Sequence, residues 1–248
     1  MIILIFFIAI WYLSLFMQTF FHHRYAAHGM FTMNRTWEKI FYVFSWLFQG
    51  SSYLSPHAYG ILHRQHHAYA DTDKDPHSPR FSSNVFAMMW KTKKRFLDIE
   101  EGKAAVESRF TKNLPYWKGM ERFAASWGSR VAWVAVYTTF FILFASHWWL
   151  FFLLPVIIVM SPVHGAIINW FAHKLGYTNF KVKDTSKNFL PVDFLMLGES
   201  YHNNHHKFGG RANFGKKWYE IDPVYWVIRV FHFLHIVKLK KNNDLNYM

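Results

Sequence analysis

The array H-x-x-H-H occurs twice in this chain, at His63, His66 and His67 and again at His202, His205 and His206. The second copy closes the stretch G-E-S-Y-H-N-N-H-H from Gly198 to His206, and a further pair, His23 and His28, follows the first apolar run. A buried imidazole brings two nitrogens that need partners, so a core has little reason to repeat such an array. Histidine is also the commonest side-chain metal ligand. Convergence of the three boxes on one metal site is the simplest account of them. It constrains the fold strongly, because segments far apart in sequence must then end at one place on one side of any membrane.

A membrane is the expected setting. Residues 1–21 carry no charge, and about 20 apolar residues suffice to span a bilayer. The run lacks the basic start and small-residue cleavage site of a signal peptide, so it reads as a retained transmembrane helix. Charged residues are 17% of the chain and hydrophobic residues 52%, against roughly 25% charged in an average soluble domain. The net charge of +13 beside apolar spans reads as cytoplasmic flanks facing anionic lipid rather than as a nucleic-acid surface. With no cysteine, disulfides, iron–sulfur clusters and thiolate zinc sites are excluded.

Two further apolar runs, 131–146 and 148–168, read as a membrane hairpin whose second arm is kinked at Pro155 and Pro162, as membrane helices tolerate. Residues 37–56 form a weaker apolar stretch. A single crossing there would separate box one from box two, so the metal hypothesis requires this segment to be interfacial or re-entrant. The expectation is an all-α integral membrane protein of one domain, 1–248. Its transmembrane helices are capped by a cytoplasmic helical region, 57–126 and 169–248, that holds a dimetal site. Most Lys and Arg fall in those two segments, which puts them in the cytoplasm by the positive-inside rule. The basic, Asn-rich C-terminal end reads as frayed.

Helical geometry says more about the boxes. His63 and His67, four apart, share a face, and His66 points roughly 100° away. One box can thus serve two metals. His23 and His28 stand about 140° apart on a straight α-helix and would share a metal most easily where the helix frays or kinks. Asn169 and His173, four apart at the exit of the last span, add a further ligand group. Asp71, Asp73 and Asp75 are either ligands or a solvated Asp-Pro turn, and the turn is favoured. Lys91, Lys93, Lys94 and Arg95 are either a solvated face, the favoured reading, or a site for a phosphate-bearing substrate head group. Imidazole suits zinc, copper, iron and nickel alike. Ligands enough for two crowded ions, beside apolar helices, suit iron acting with dioxygen on an unactivated C–H bond.

These elements, taken together, resemble the membrane fatty acyl desaturases of the stearoyl-CoA desaturase type, and their bacterial branch most closely. H-R-Y-A-A-H at 23–28 resembles that family's first histidine box, and H-R-Q-H-H with D-P-H-S-P at 75–79 its second. N-W-F-A-H at 169–173 resembles the Asn-x-x-x-His element, G-E-S-Y-H-N-N-H-H the third box, and W-Y-E-I-D at 218–222 the tail. The resemblance implies two iron ions, which zinc can replace in a recombinant preparation. It implies one iron held by His23, His28, His63, His67 and His206. The other would be held by His66, His173, His202 and His205, with Asn169 reaching it through water. It further implies delta-9 desaturation of a saturated acyl chain, acyl-CoA being the favoured substrate. Dioxygen and two electrons would be consumed, the electrons coming from a separate donor such as a ferredoxin or a b-type cytochrome with its reductase. A bacterial inner membrane, with the metals on its cytoplasmic side, is the implied location. The family has four spans, and residues 1–21 correspond to its second. Tyr59, Ser200 and Tyr201 depart from its usual residues, which bears on the substrate tunnel. His22, His57, His77, His147, His164, His232 and His235 match no ligand position and read as structural. The rival readings are a histidine-box hydroxylase of alkyl or acyl chains and a non-catalytic zinc- or haem-binding membrane protein.

Overall fold

The computed structural model describes residues 1–240; the C-terminal end expected to fray lies outside the described residues. Helix α1 (Ile2–Met17) runs without a break into a π-helix, Gln18–Ala27. Strand β1 (Phe31–Met33) and helices α2 (Arg35–Gln49) and α3 (Pro56–Tyr69) follow, and then α4 (Val85–Glu100). Short helices α5 (Ser108–Thr111) and α6 (Lys118–Ala125) lead to α7 (Trp127–Phe144). A 3₁₀ turn, Trp148–Phe152, opens α8 (Leu153–Ile158), and α9 (Met160–Ala166) ends in a second π-turn, Ile167–Phe171. Helices α10 (His202–Lys207) and α11 (Pro223–Phe233) and strand β2 (Val237–Leu239) complete the described chain. The architecture is helical, as expected, with one small addition: β1 and β2 pair antiparallel, Thr32 opposite Lys238.

Among the described residues, two helical stretches are long and apolar enough to cross a bilayer: the 26 residues of α1 with its π-helix, and the 18 of α7. Trp148–Ile158 and Met160–Phe171 form a third if taken as one span, bent by 73° between them. Pro155 and Pro162 bracket that bend, each lacking the N–H that an unbroken helix would use. Helix α2, at 15 residues, is not among these stretches. Its start is set by Asn34, whose side chain accepts from Trp37 N–H, and its end by Gly50 at φ +52°, a conformation open to glycine at no cost. Ser55 caps α3 by accepting from Ala58 N–H, with Pro56 in the first turn.

The π-helix is the element that positions box one. Five-residue hydrogen bonding puts residues five apart on one face. His28 N–H donates to the His23 carbonyl at 3.1 Å, so the two imidazoles, about 140° apart on an α-helix, come together. Their ring centroids are 5.0 Å apart. Phe20 from the same π-helix packs against Phe31, Phe41 and Phe231, which fixes it to β1, α2 and α11.

Candidate metal centre

The three boxes meet. His23, His28, His63, His67 and His205 form one cluster, and His66, His173, His202 and His206 a second. In the first, Nε2 atoms follow one another closely: His23–His205 at 3.0 Å, His205–His67 at 2.9 Å, His67–His63 at 3.0 Å and His63–His28 at 2.9 Å. In the second, His173–His202 is 3.0 Å and His66–His206 is 3.2 Å. Nitrogens about 2.1 Å from a metal stand about 3 Å apart when they occupy neighbouring coordination positions. A hydrogen-bonded chain does not explain these contacts as well. Glu199 Oε2 lies 2.6 Å from His23 Nδ1 and engages that nitrogen's proton, which leaves Nε2 as a bare lone pair facing the cluster. Burial pushes the pKa of His28, His63, His67, His202, His205 and His206 well below its ordinary value, and that of His66 down to about 3. The rings are therefore neutral, the form that binds a metal. The donor set fits two cations.

Carboxylates orient the rings from outside. Both oxygens of Asp75 lie 3.0 Å from His66 Nδ1, and Asp184 Oδ2 is 3.0 Å from His206 Nδ1. Thr185 Oγ1 lies 3.2 Å from His173 Nδ1, and Asp71 accepts from both the Thr185 hydroxyl and its N–H. Burial acts to raise the Asp71 carboxyl, but its contacts with His173, Ser78 and Thr185 outweigh this and hold it low. Such partners fix the ring's tautomer and angle. The turn reading of residues 71–79 is thereby corrected for two of its three aspartates. Asp71 and Asp75 face inward onto histidines, because a turn of this length folds back across α3. Glu199 is hydrogen-bonded to Thr19 as well as His23.

The asparagines of box three hold its helix. Asn203 Oδ1 accepts from the N–H groups of Asn179 and Phe180 at 2.9 Å each, and Asn204 Nδ2 donates to Glu220 and to the Phe214 carbonyl. The W-Y-E-I-D segment works the same way. Glu220 accepts from Tyr177, Asn179 and Asn204, while Asp222 receives both guanidinium nitrogens of the fully buried Arg24 at 3.1 Å. Gly198 (φ +93°) lets the chain pass this ion pair, since a Cβ there would sit 2.6 Å from Asp222 Oδ1.

Beside the clusters lies a cavity of about 520 Å³ between the π-helix, α3, α4 and α9, well within the range of small-molecule sites. Leu15, Leu62, Phe96, Ile168 and Met196 supply apolar wall, while His23, His63, His202, Glu199 and Asn169 face it from the metal side. At its rim on α4 stand Phe86 and Trp90, 82% and 68% exposed, with the Lys93 ammonium 5.2 Å from the Trp90 ring centre.

The profile of the fatty acid desaturase family matches residues 1–234. This chain belongs to that family. Its members are oxidoreductases that introduce double bonds. The desaturase is 29% identical over 224 residues to a delta-9 desaturase-like protein of Arabidopsis thaliana, covering 87% of this chain and 69% of that protein. It is 28% identical to an sn-1 stearoyl-lipid 9-desaturase of Synechocystis (87% and 64%) and 27% identical to an acyl-CoA 5-desaturase of Anemone leveillei (89% and 66%). These names differ in acyl carrier and in bond position, so family membership alone fixes neither.

All nine expected histidines of the desaturase converge, but the division between the two clusters is corrected. His205, not His206, joins the five-membered cluster. The reason is helical: on α10 His202 and His206 are four apart and share a face, and His205 points away. The rule that separated His66 from His63 and His67 applies equally to box three. Each H-x-x-H-H box gives its i, i+4 pair to one cluster and its middle histidine to the other. Asn169 stands on the cavity wall. The four cations of α4 are dispersed. Lys93 borders the acyl cavity, Lys94 is exposed, and Lys91 and Arg95 line a separate cleft of about 460 Å³ with Lys74, Asp73 and Glu107. His77 and His164, expected to be structural, are buried with both ring nitrogens lacking a protein partner, and both line the cavity. His22, by contrast, is satisfied by the carbonyls of Met17 and Leu54.

Proposed function

We propose that this desaturase removes two hydrogens from adjacent methylenes of a long saturated acyl chain, forming a cis double bond at the delta-9 position. Two electrons and two protons join the two hydrogens removed in reducing one dioxygen to two waters. The observation that carries the reading is the pair of polyhistidine clusters facing one apolar cavity. His23, His28, His63, His67 and His205 would hold one iron, and His66, His173, His202 and His206 the other, with Asn169 beside them. Bound there, two irons would supply the dioxygen activation that an unactivated C–H bond requires. The protein binds the chain against Leu62, Phe96, Ile168 and Met196, excludes bulk water, and holds each imidazole neutral and aimed through Glu199, Asp75, Asp184 and Thr185.

For the carrier, coenzyme A is favoured by the cations along α4: Lys93 at the cavity rim, with Lys91 and Arg95 in the neighbouring cleft, could meet its phosphates. A membrane lipid is the second reading, favoured by the exposed apolar rim of Phe86 and Trp90, which suits lateral entry from a bilayer. Electrons come from a separate protein such as a ferredoxin or a b-type cytochrome, and the site faces the cytoplasm from a bacterial inner membrane.

The test is the fatty acid profile of a host expressing the chain with an electron donor, by gas chromatography with double-bond localisation. A new monoene, absent with His205→Ala, is expected, and His235→Ala should match wild type. A hydroxylated chain would replace desaturation with hydroxylation. Equal products from wild type and His205→Ala would remove the metal from the mechanism. Isolated membranes given acyl-CoA or phospholipid separate the two carriers.

A further inference from the structure

The wall of the acyl cavity is not uniformly apolar. Besides His202 and His77, which belong to the metal side (the His77 ring lies 4.2 Å from that of His66), it carries two further polar side chains that the protein leaves unsatisfied. His164 is 1% exposed and neither ring nitrogen has a protein partner; Gln18 is 8% exposed and its Oε1 has none. Both line the cavity. They belong to one neighbourhood, since a Cβ added to Gly165 would stand 3.9 Å from Gln18 Nε2 and 3.9 Å from Asn169 Nδ2. Gln18 lies one π-turn before His23 on the same face, and His164 five residues before Asn169. The Trp11 ring meets the His164 imidazole edge to face, centroids 4.6 Å apart, and helps to hold it in place.

Nearby polar groups that do not need a ligand have found partners. Thr19 bonds Glu199, Ser161 bonds Ser14 and Ser52, and His22 bonds two carbonyls. Burying a polar group without a partner is costly, and two such groups facing one cavity call for something in the cavity to pair with them.

The inventory of donors and acceptors restricts what that is. A neutral imidazole offers one N–H donor and one acceptor, and Gln18 Oε1 is an acceptor. A saturated hydrocarbon satisfies none of these. A carbonyl, which only accepts, can pair with the His164 N–H or the Gln18 amide N–H but leaves Gln18 Oε1 unpaired. A hydroxyl pairs with a donor and an acceptor together, accepting from the His164 N–H and donating to Gln18 Oε1. We propose that the cavity is built for an acyl chain carrying a hydroxyl group, seated at His164 and Gln18. A site that hydrogen-bonds a substrate hydroxyl discriminates strongly against the chain lacking it, because its own buried polar groups are then left unpaired. The inference rests on the desaturase reading only for the acyl nature of the ligand.

The experiment is a binding measurement on the full chain in lipid nanodiscs, with turnover read separately. Stearic acid and hydroxystearic acids, the hydroxyl moved stepwise along the chain, compete against a fluorescent fatty acid. Wild type should bind one hydroxyl position about tenfold or more tightly than stearic acid. His164→Leu and Gln18→Leu should each bring that ratio to about one and tighten stearic acid itself, which also shows that the variants keep their cavity. The subsite is overturned if wild type binds plain and hydroxylated chains alike, as it would if a trapped water paired with these residues. It is also overturned if His164→Leu keeps the preference. Preference without any unsaturated product counts against the desaturase reading and leaves the subsite standing. Unsaturated stearate without preference does the reverse.

Discussion

Asp75→Asn tests the division of labour between the two histidine clusters. Asp75 accepts from three directions: His66 Nδ1 at 3.0 Å to both oxygens, Asp71 N–H at 2.9 Å and His77 N–H at 3.0 Å. Every neighbour is a donor, and burial raises the carboxyl's pKa. Asparagine keeps one acceptor and turns the other into an NH₂ group that must face a donor. The His66 contact also loses its charge assistance, where a hydrogen bond to a charged group is worth about 1.5–3 kcal/mol. At 1.4 kcal/mol per factor of ten, that is about 10- to 100-fold in metal affinity, the range typical for such outer partners. The loss should fall on one cluster, because Asp75 touches only His66 among the nine histidines. Metal analysis of purified protein across a chelator titration should show the variant dropping from about two metals per chain to about one at a chelator concentration that leaves wild type loaded. Product formation should fall with the weaker metal. Wild-type metal retention and turnover would refute the orienting role of Asp75. Equal loss of both metals would refute the independence of the clusters.

Metal removal should expose a pH dependence. The buried histidines of the two clusters have folded pKa values below their ordinary 6.5, down to about 3 for His66, so below pH 6.5 the unfolded chain binds more protons. Stability of the metal-stripped protein is then fully present above about pH 6.5 and is lost as pH falls from there toward 3. Thermal unfolding in detergent should show a falling midpoint from pH 7.5 to 5.5, and a flat profile would contradict the burial of neutral imidazoles. Asp222→Asn removes the charge that pairs with a fully buried Arg24 and should cost about 3–5 kcal/mol, read as a large drop in thermal midpoint; wild-type stability would show that the pair does not hold the tail to the first span.

Much of the site was legible in the sequence because histidine spacing carries chemistry that composition cannot explain otherwise. The repeated H-x-x-H-H array and the i, i+4 rule on α3 were enough to assign His63 and His67 to one cluster and His66 to the other. The same rule on α10 sets His202 and His206 on one face and His205 apart from them, the division that the structure shows. The Asp-Pro-rich segment after box two looked like a solvated turn, and local sequence cannot distinguish a turn facing water from one folded back onto a histidine.

What the sequence determined by itself is local: uncharged runs long enough to cross a bilayer, proline positions that bend the last of them, and the identity and spacing of the histidines. These follow from the chain's own periodicity and from the cost of burying polar groups. What only the tertiary structure decided depends on which segments meet. The π-helix that aligns His23 with His28 is a local hydrogen-bond pattern held by packing against distant segments, and the carboxylates of Asp75, Asp184 and Glu199 behind the rings and the unpaired His164 and Gln18 in the cavity depend on how segments fold onto one another. A residue's hydrogen-bond partner, or its lack of one, is set by packing, and packing has no signature in a single stretch of sequence.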